Sequence, residues 1–199
     1  MLLNSVSVGV VMTGSHCTVG AVIPAIKRLK YEGALITVIF SYAINYTDNR
    51  FYTVEELKRE ISEITDISII TSIIDAEPIG PQKLFDVLVV APCTGNTLAK
   101  MANSITDTPA LMAIKAQLRN QRPVVIALST NDGLGMNARN LGYLLSSKNI
   151  YFVPFRQDDP LNKSTSLIAD MDKLFDTVVW ALKGKQFQPL LLGPVNNVG

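Results

Sequence analysis

Thr13-Gly14-Ser15-His16-Cys17-Thr18 gathers a glycine, three hydroxyls, the chain's only histidine and one of its two cysteines into a single short turn. Three chemistries use such residues: nucleophilic catalysis beside a base, metal ligation, and the holding of an oxyanion. One histidine with Cys17 and Cys93 falls short of the four ligands of a structural zinc site, so no metal centre is expected. A nucleophile and a base adjacent in sequence diverge on a turn, whereas a working pair must meet at hydrogen-bond distance. His16 is therefore a candidate catalytic residue, but a ligand contact or a helix cap suits it better. The oxyanion reading fits most of the residues. Gly14 permits a tight turn and close backbone approach, Ser15 and Thr18 offer hydroxyls, and a following helix would aim unpaired N–H groups at the same place. A simple helix cap by Ser15 or Thr18 is the competing reading.

Two further loops share this composition, rich in Gly, Ser, Thr and Asn. Residues 92–97 (PCTGNT) and 129–137 (STNDGLGMN) each follow an apolar run, as the first loop does. If the runs are parallel strands, all three loops lie beyond their carboxyl ends, where ligands bind in open α/β sheets. The candidate ligand-binding set is Thr13, Gly14, Ser15 and His16 from the first loop, with Ser41 just after the second strand. Pro92, Thr94, Gly95, Asn96 and Thr97 come from the middle loop, and Ser129, Thr130 and Asn131 from the last. Asn96 is expected to reach the same anion as Ser15. Neither G-x-G-x-x-G nor G-x-x-x-x-G-K-[ST] occurs, so a dinucleotide fingerprint and a Walker loop are both absent. Cys93 reads as an inert, semi-buried thiol, and Cys17 as packed into the first helical turn.

The elements that position these loops follow from periodicity. Buried strands are expected at residues 5–12, 34–40, 85–91, 123–128 and 150–153, where short β-branched runs end at turn residues. Helical spacing marks residues 18–31, 54–64, 98–103, 109–120, 138–148 and 167–183. Residues 41–51 read as a loop, and residues 67–76 fit strand and helix alike. Strands that are near-continuous apolar runs and alternate with helices imply a three-layer, Rossmann-like (flavodoxin-like) α/β fold: a parallel sheet with helices on both faces. Residues 1–185 are read as one domain. Residues 186–199 are read as a tail, loose or docked on a neighbour.

Composition narrows the function classes. With 48% hydrophobic and 18% charged residues, the chain has the make-up of a globular protein with a sizeable core. A net charge of +1 without a basic run speaks against a nucleic-acid binder. The first apolar stretch is too short for a membrane span and lacks a preceding basic residue, so a cytoplasmic location is expected.

At these same motifs the chain resembles the flavoprotein family that includes phosphopantothenoylcysteine decarboxylase and the flavin prenyltransferases. "MTGSHCT" is similar to that family's T-G-S phosphate turn. Residues 91–107 (APCTGNTLAKMANSITD) resemble its A-P-x-x-A-N-T-x-x-K segment, with Gly95 in place of alanine, and Met136-Asn137 resembles its Met-Asn element. Over roughly residues 6–185 the chain is similar to one branch, the dipicolinate synthase B subunits of spore-forming bacteria; "STNDGLG" and "YFVPFRQDDP" are distinctive for it. The resemblance implies an oxidation of dihydrodipicolinate to dipicolinate in the mother cell. An A subunit would be the partner in a hetero-oligomer and would bind the nicotinamide, NAD(P). Arg50, Lys100, Arg119, Arg139 and Arg156 are candidate cations for the dicarboxylate. The family's decarboxylases carry a histidine before the strand leading into A-P-x-x-A-N-T, but residues 77–86 (EPIGPQKLFD) hold none. The Met-Asn element also lacks its usual proline and tryptophan neighbours. A phosphate-bearing ligand survives these departures better than FMN redox chemistry. The alternatives are a stand-alone FMN-dependent decarboxylase or prenyltransferase and a non-catalytic subunit that stabilises its partner.

Overall fold

The first apolar run forms β1 (Ser7–Met12), buried at every position but Ser7, in a computed structural model that describes residues 1–65 and 67–193. A 3-10 turn over His16–Thr18 leads into α1 (Val19–Tyr31). Val19, Val22, Ile23, Ile26 and Leu29 recur at three- and four-residue intervals, so α1 buries one stripe. Gly33, at φ +97°, takes the left-handed conformation that stops the helix. β2 (Leu35–Phe40) then lies parallel to β1, with Val38 opposite Val10.

Next come α2 (Tyr42–Tyr46), α3 (Val54–Ser62) and α4 (Ile73–Ala76). Thr53 and Glu56 form a capping box on α3, each satisfying the other's backbone amide. β3 (Val87–Cys93) is buried throughout and is followed by α5 (Gly95–Ala102) and α6 (Pro109–Arg119). β4 (Val124–Thr130), α7 (Ala138–Leu145) and β5 (Ile150–Phe152) complete the crossovers. β1 to β5 are all parallel and lie side by side in the order 2-1-3-4-5. The order reverses between β1 and β3, so a crevice opens beyond their carboxyl ends. Gly9 allows the two strands to close up: a Cβ there would lie 2.6 Å from the Leu88 and Phe85 side chains. α6 crosses the sheet beside α4, while α1 packs with α8 (Leu174–Ala181), giving the expected flavodoxin-like α/β architecture. Among the described residues no helix is long and apolar enough to cross a membrane.

The sheet is mixed rather than wholly parallel. β6 (Phe155–Asp159) and β7 (Lys163–Ala169) form an antiparallel hairpin, and β7 pairs antiparallel with the end of β4 at Ser129–Ile168 and Thr130–Leu167. Periodicity hides this strand, because Leu167 and Ile168 continue the spacing of Met171, Leu174 and Phe175. The helical segment starts only after Asp170, whose side chain caps the turn at Met171–Lys173.

Smaller differences have local causes. The polar stretch after β2 contains α2, and α5 starts at Gly95, three residues earlier than spacing suggests, because Thr94 caps it. Residues 67–76 split between the two readings: Ile70 bridges to Ile39, then Ser72 caps α4. Part of the tail docks on its own chain. The Gln186 side chain pairs with both Phe152 backbone groups, and Phe155 bonds to Leu190 and Leu192. Residues 194–199 lie outside the described residues.

Candidate functional site

Thr13 ties the crevice together. Its buried hydroxyl donates to the Pro92 carbonyl (2.6 Å) and accepts from the Thr94 amide (3.0 Å), joining the ends of β1 and β3. Both of its polar bonds are therefore used within the protein. Gly14 follows, and a Cβ there would lie 2.9 Å from that of Ala43. Gly14 lines two cavities.

The larger cavity, about 610 Å³, is lined by Ser15, His16, Thr18, Ser129, Thr130 and Asn131, with the β6–β7 hairpin as its far wall. Ser15, Thr18 and Ser129 form a closed hydroxyl cluster: Ser15–Ser129 2.7 Å, Thr18–Ser129 2.8 Å, Ser15–Thr18 3.1 Å. The Ser15 and Thr18 amides bond back to Thr13 and Ser15 carbonyls. Among the described residues, the Gly14, His16 and Cys17 amides have no protein partner. Backbone N–H groups are thus the open donors of this turn, in keeping with an oxyanion site.

The smaller cavity, about 460 Å³, lies on the other side of Gly14. Thr13, Ser41, Thr94, Asn96 and Thr97 line it. Thr94 caps α5 through the Thr97 amide and bonds the Thr97 hydroxyl. Among the described residues, the buried Ser41 hydroxyl has no hydrogen-bond partner, and neither has the buried Asn45 amide oxygen. A buried hydroxyl without a partner costs stability unless a ligand or water meets it. Ser15 and Asn96, expected to reach one anion, line separate cavities. The loop at 92–97 faces the smaller one and the loop at 129–131 the larger one.

Pro92 and Gly95 line neither cavity, and both are buried. Gly95 has a packing reason for lacking a side chain. A Cβ there would collide with the Thr130 hydroxyl and would lie 2.8 Å from both Asp132 Oδ1 and Asn137 Nδ2. Asp132 accepts from Thr130 (2.6 Å) and, through both oxygens, from Asn137 (2.9 Å each). These bonds hold its carboxyl below the usual range. Glycine at position 95 and the Thr130–Asp132–Asn137 cluster are two halves of one packing solution.

His16 borders the larger cavity and meets a pair of residues that periodicity does not flag. Its Nδ1 lies 2.7 Å from the Tyr52 hydroxyl and 3.1 Å from Asn49 Nδ2. Burial lowers the pKa of His16 and pushes that of Tyr52 up to about 12. The only signal for this pair in the sequence is the Asp48-Asn49 turn before a capped helix. Cys17 is exposed, not packed into the helix, because the 3-10 turn rotates it outward. Cys93 is wholly buried, which pushes its thiol up to about 12 and leaves it a poor nucleophile.

The candidate cations separate clearly. Arg50 borders the larger cavity, its guanidinium over the Phe51 ring, and Lys100 borders the smaller one, paired to Asp107 at 2.6 Å. Arg156 is paired to Asp170 at 2.6 Å over a different depression beside α1. Arg119 belongs to a mostly apolar cavity between α5, α6 and α7, and Arg139 lies on the exposed side of α7. Lys163, unmarked by sequence because it sits in the hidden hairpin, borders the larger cavity beside Asp158. No group of three or more metal-ligating side chains occurs among the described residues.

Comparison with known proteins agrees with this fold. The chain matches the flavoprotein family over residues 2–182. It is 46% identical over 190 residues to the dipicolinate synthase B subunit of Bacillus subtilis (strain 168), covering 96% of this chain and 95% of that protein. The crystal structure of the dipicolinate synthase B subunit from Bacillus halodurans superposes with a TM-score of 0.90 at 44% identity, over 98% of this chain and 100% of that one. The FMN-dependent cysteine decarboxylase SpaF shares the fold, with a TM-score of 0.65 at 21% identity over 92% of this chain and 99% of the other.

Proposed function

The chain belongs to the flavoprotein family, and from that premise we propose that it is the B subunit of a dipicolinate synthase. In this reading residues 1–185 act as one domain with a tail at 186–199. The chain works with an A subunit in the cytoplasm of a spore-forming mother cell. The oxidised nicotinamide, NAD(P), carried by the A subunit would supply the acceptor for a hydride from dihydrodipicolinate. A proton leaves to solvent, and the ring becomes the aromatic pyridine dicarboxylate.

The observation that carries the reading is the paired cavity at Gly14: open amides and a hydroxyl cluster on one side, an unpartnered buried hydroxyl on the other. Such donors suit a small dianion, and Arg50 adds positive charge at the larger cavity, where Lys163 is paired to Asp158. The strong relatedness to dipicolinate synthase B subunits supports the choice of substrate.

In the reconstituted complex, Ser15→Ala and Asn96→Ala each lower the rate of dipicolinate formation at least tenfold. Unchanged rates for both would leave the chain as a non-catalytic stabiliser of its partner.

The unpartnered Ser41 hydroxyl favours one second reading, an FMN-binding chain. Ser41, Gly14 and the first turn of α5 fit the phosphate of FMN and would hold it. FMN, when bound, supplies a two-electron acceptor. The absence of a histidine from residues 77–86 argues against a decarboxylase of the family type. Purified chain with about one flavin per polypeptide in its absorbance spectrum would establish this second reading.

A further inference from the structure

Asn49 is locked in place. Its Oδ1 accepts from the Phe51 amide (2.9 Å) and the Tyr52 amide (3.3 Å), so Nδ2 is the end that faces His16 Nδ1 at 3.1 Å. An amide nitrogen only donates, so a proton on Nδ1 would set two hydrogens against each other. Nδ1 is thereby an acceptor, and the Tyr52 hydroxyl, 2.7 Å away, donates to it. A neutral imidazole with its Nδ1 lone pair engaged carries its proton on Nε2. Nε2 faces the Gly14 turn: a Cβ built on Gly14 would lie 3.8 Å from it.

We infer that Asn49 and Tyr52 are positioning residues that fix His16 as the neutral Nε2–H tautomer, making it a hydrogen-bond donor to an oxyanion in the larger cavity. This deepens the proposed function, on which its ligand class rests, and it removes His16 as a general base. The imidazole offers the cavity an N–H and no lone pair. Burial of the ring and of Tyr52 favours the neutral forms of both, in accord with this arrangement.

Because the chain has a single histidine, selective 15N-histidine labelling gives one imidazole to read. Long-range 1H–15N correlation spectra of the full chain at neutral pH are expected to show Nδ1 unprotonated and Nε2 protonated. Asn49→Asp presents an acceptor in place of the donor and moves the proton to Nδ1. Asn49→Ala removes the fixed donor and gives a mixture of tautomers. Tyr52→Phe keeps the Nε2–H form through Asn49. An Nδ1–H tautomer in the unaltered chain overturns the inference without any variant, as does an unchanged tautomer in a folded Asn49→Asp protein.

Titration with dipicolinate and, separately, with inorganic phosphate tests the donor role. A shift of the Nε2 signals with either anion supports it, and the more potent anion identifies the ligand. Response to phosphate alone would count against the dicarboxylate substrate while leaving the tautomer assignment intact. No response to either would refute the donor role.

Discussion

Gly14 divides two cavities whose polar groups are in opposite states. On the larger side Ser15, Thr18 and Ser129 satisfy one another, so the side chains form a rigid rim and the backbone amides are the open donors. On the smaller side Ser41 has its hydroxyl buried with no partner, while Thr94 and Thr97 are consumed in capping α5. A satisfied cluster stabilises the fold whether or not a ligand is present. An unsatisfied buried donor costs stability until something meets it. The two sides should therefore respond differently to the same kind of mutation.

Thr13 supports both sides, and its loss has the largest expected effect. Thr13→Val leaves the Thr94 amide and Pro92 carbonyl without their buried partner, lowering stability by about 2–3 kcal/mol in urea unfolding. A loss below about 0.5 kcal/mol would show that the β1–β3 tie is dispensable.

Gly95→Ala comes next. Overpacking against Thr130, Asp132 and Asn137 is expected to destabilise by about 1–3 kcal/mol. Asp132→Ala in the same chain recovers part of that loss, and strict additivity would contradict the packing account.

The sharpest contrast is between two serines. Ser129→Ala breaks the hydroxyl cluster and costs about 1 kcal/mol, whereas Ser41→Ala removes an orphan and stays within about 0.5 kcal/mol of the original. Inorganic phosphate should raise the Tm of the unaltered chain and do so less for Ser41→Ala. Equal costs for the two serines would erase the distinction.

The smallest effect is one of pH. The folded carboxyl of Asp132 is held below its unfolded value of about 3.9, so its stabilisation is complete above that pH. It is lost as pH falls through the lowered folded value. Comparing urea stability with Asp132→Asn from pH 5 downward should show a steeper fall in the unaltered chain.

Much of this arrangement is legible in residue order. β1, β3 and β4 are near-continuous apolar runs, each leading into a glycine- and hydroxyl-rich loop, so their placement and the site's edge follow from periodicity. The β6–β7 hairpin is hidden because Leu167 and Ile168 share helical spacing with the segment that follows. With it are hidden Lys163 and the far wall of the larger cavity. Asn49 and Tyr52 are equally silent, since their role comes from meeting His16 across a loop. The close approach of Ala43 to Gly14 is another neighbourhood that no spacing reveals.

The proposed function makes this chain the B subunit of a two-subunit dehydrogenase of a cyclic dicarboxylate. Its most direct test is NAD(P)H formation from dihydrodipicolinate, followed with this chain alone, the A subunit alone, and both mixed. The account predicts turnover only in the mixture, rising with added chain until the partner is saturated. Full turnover by either subunit alone would contradict it.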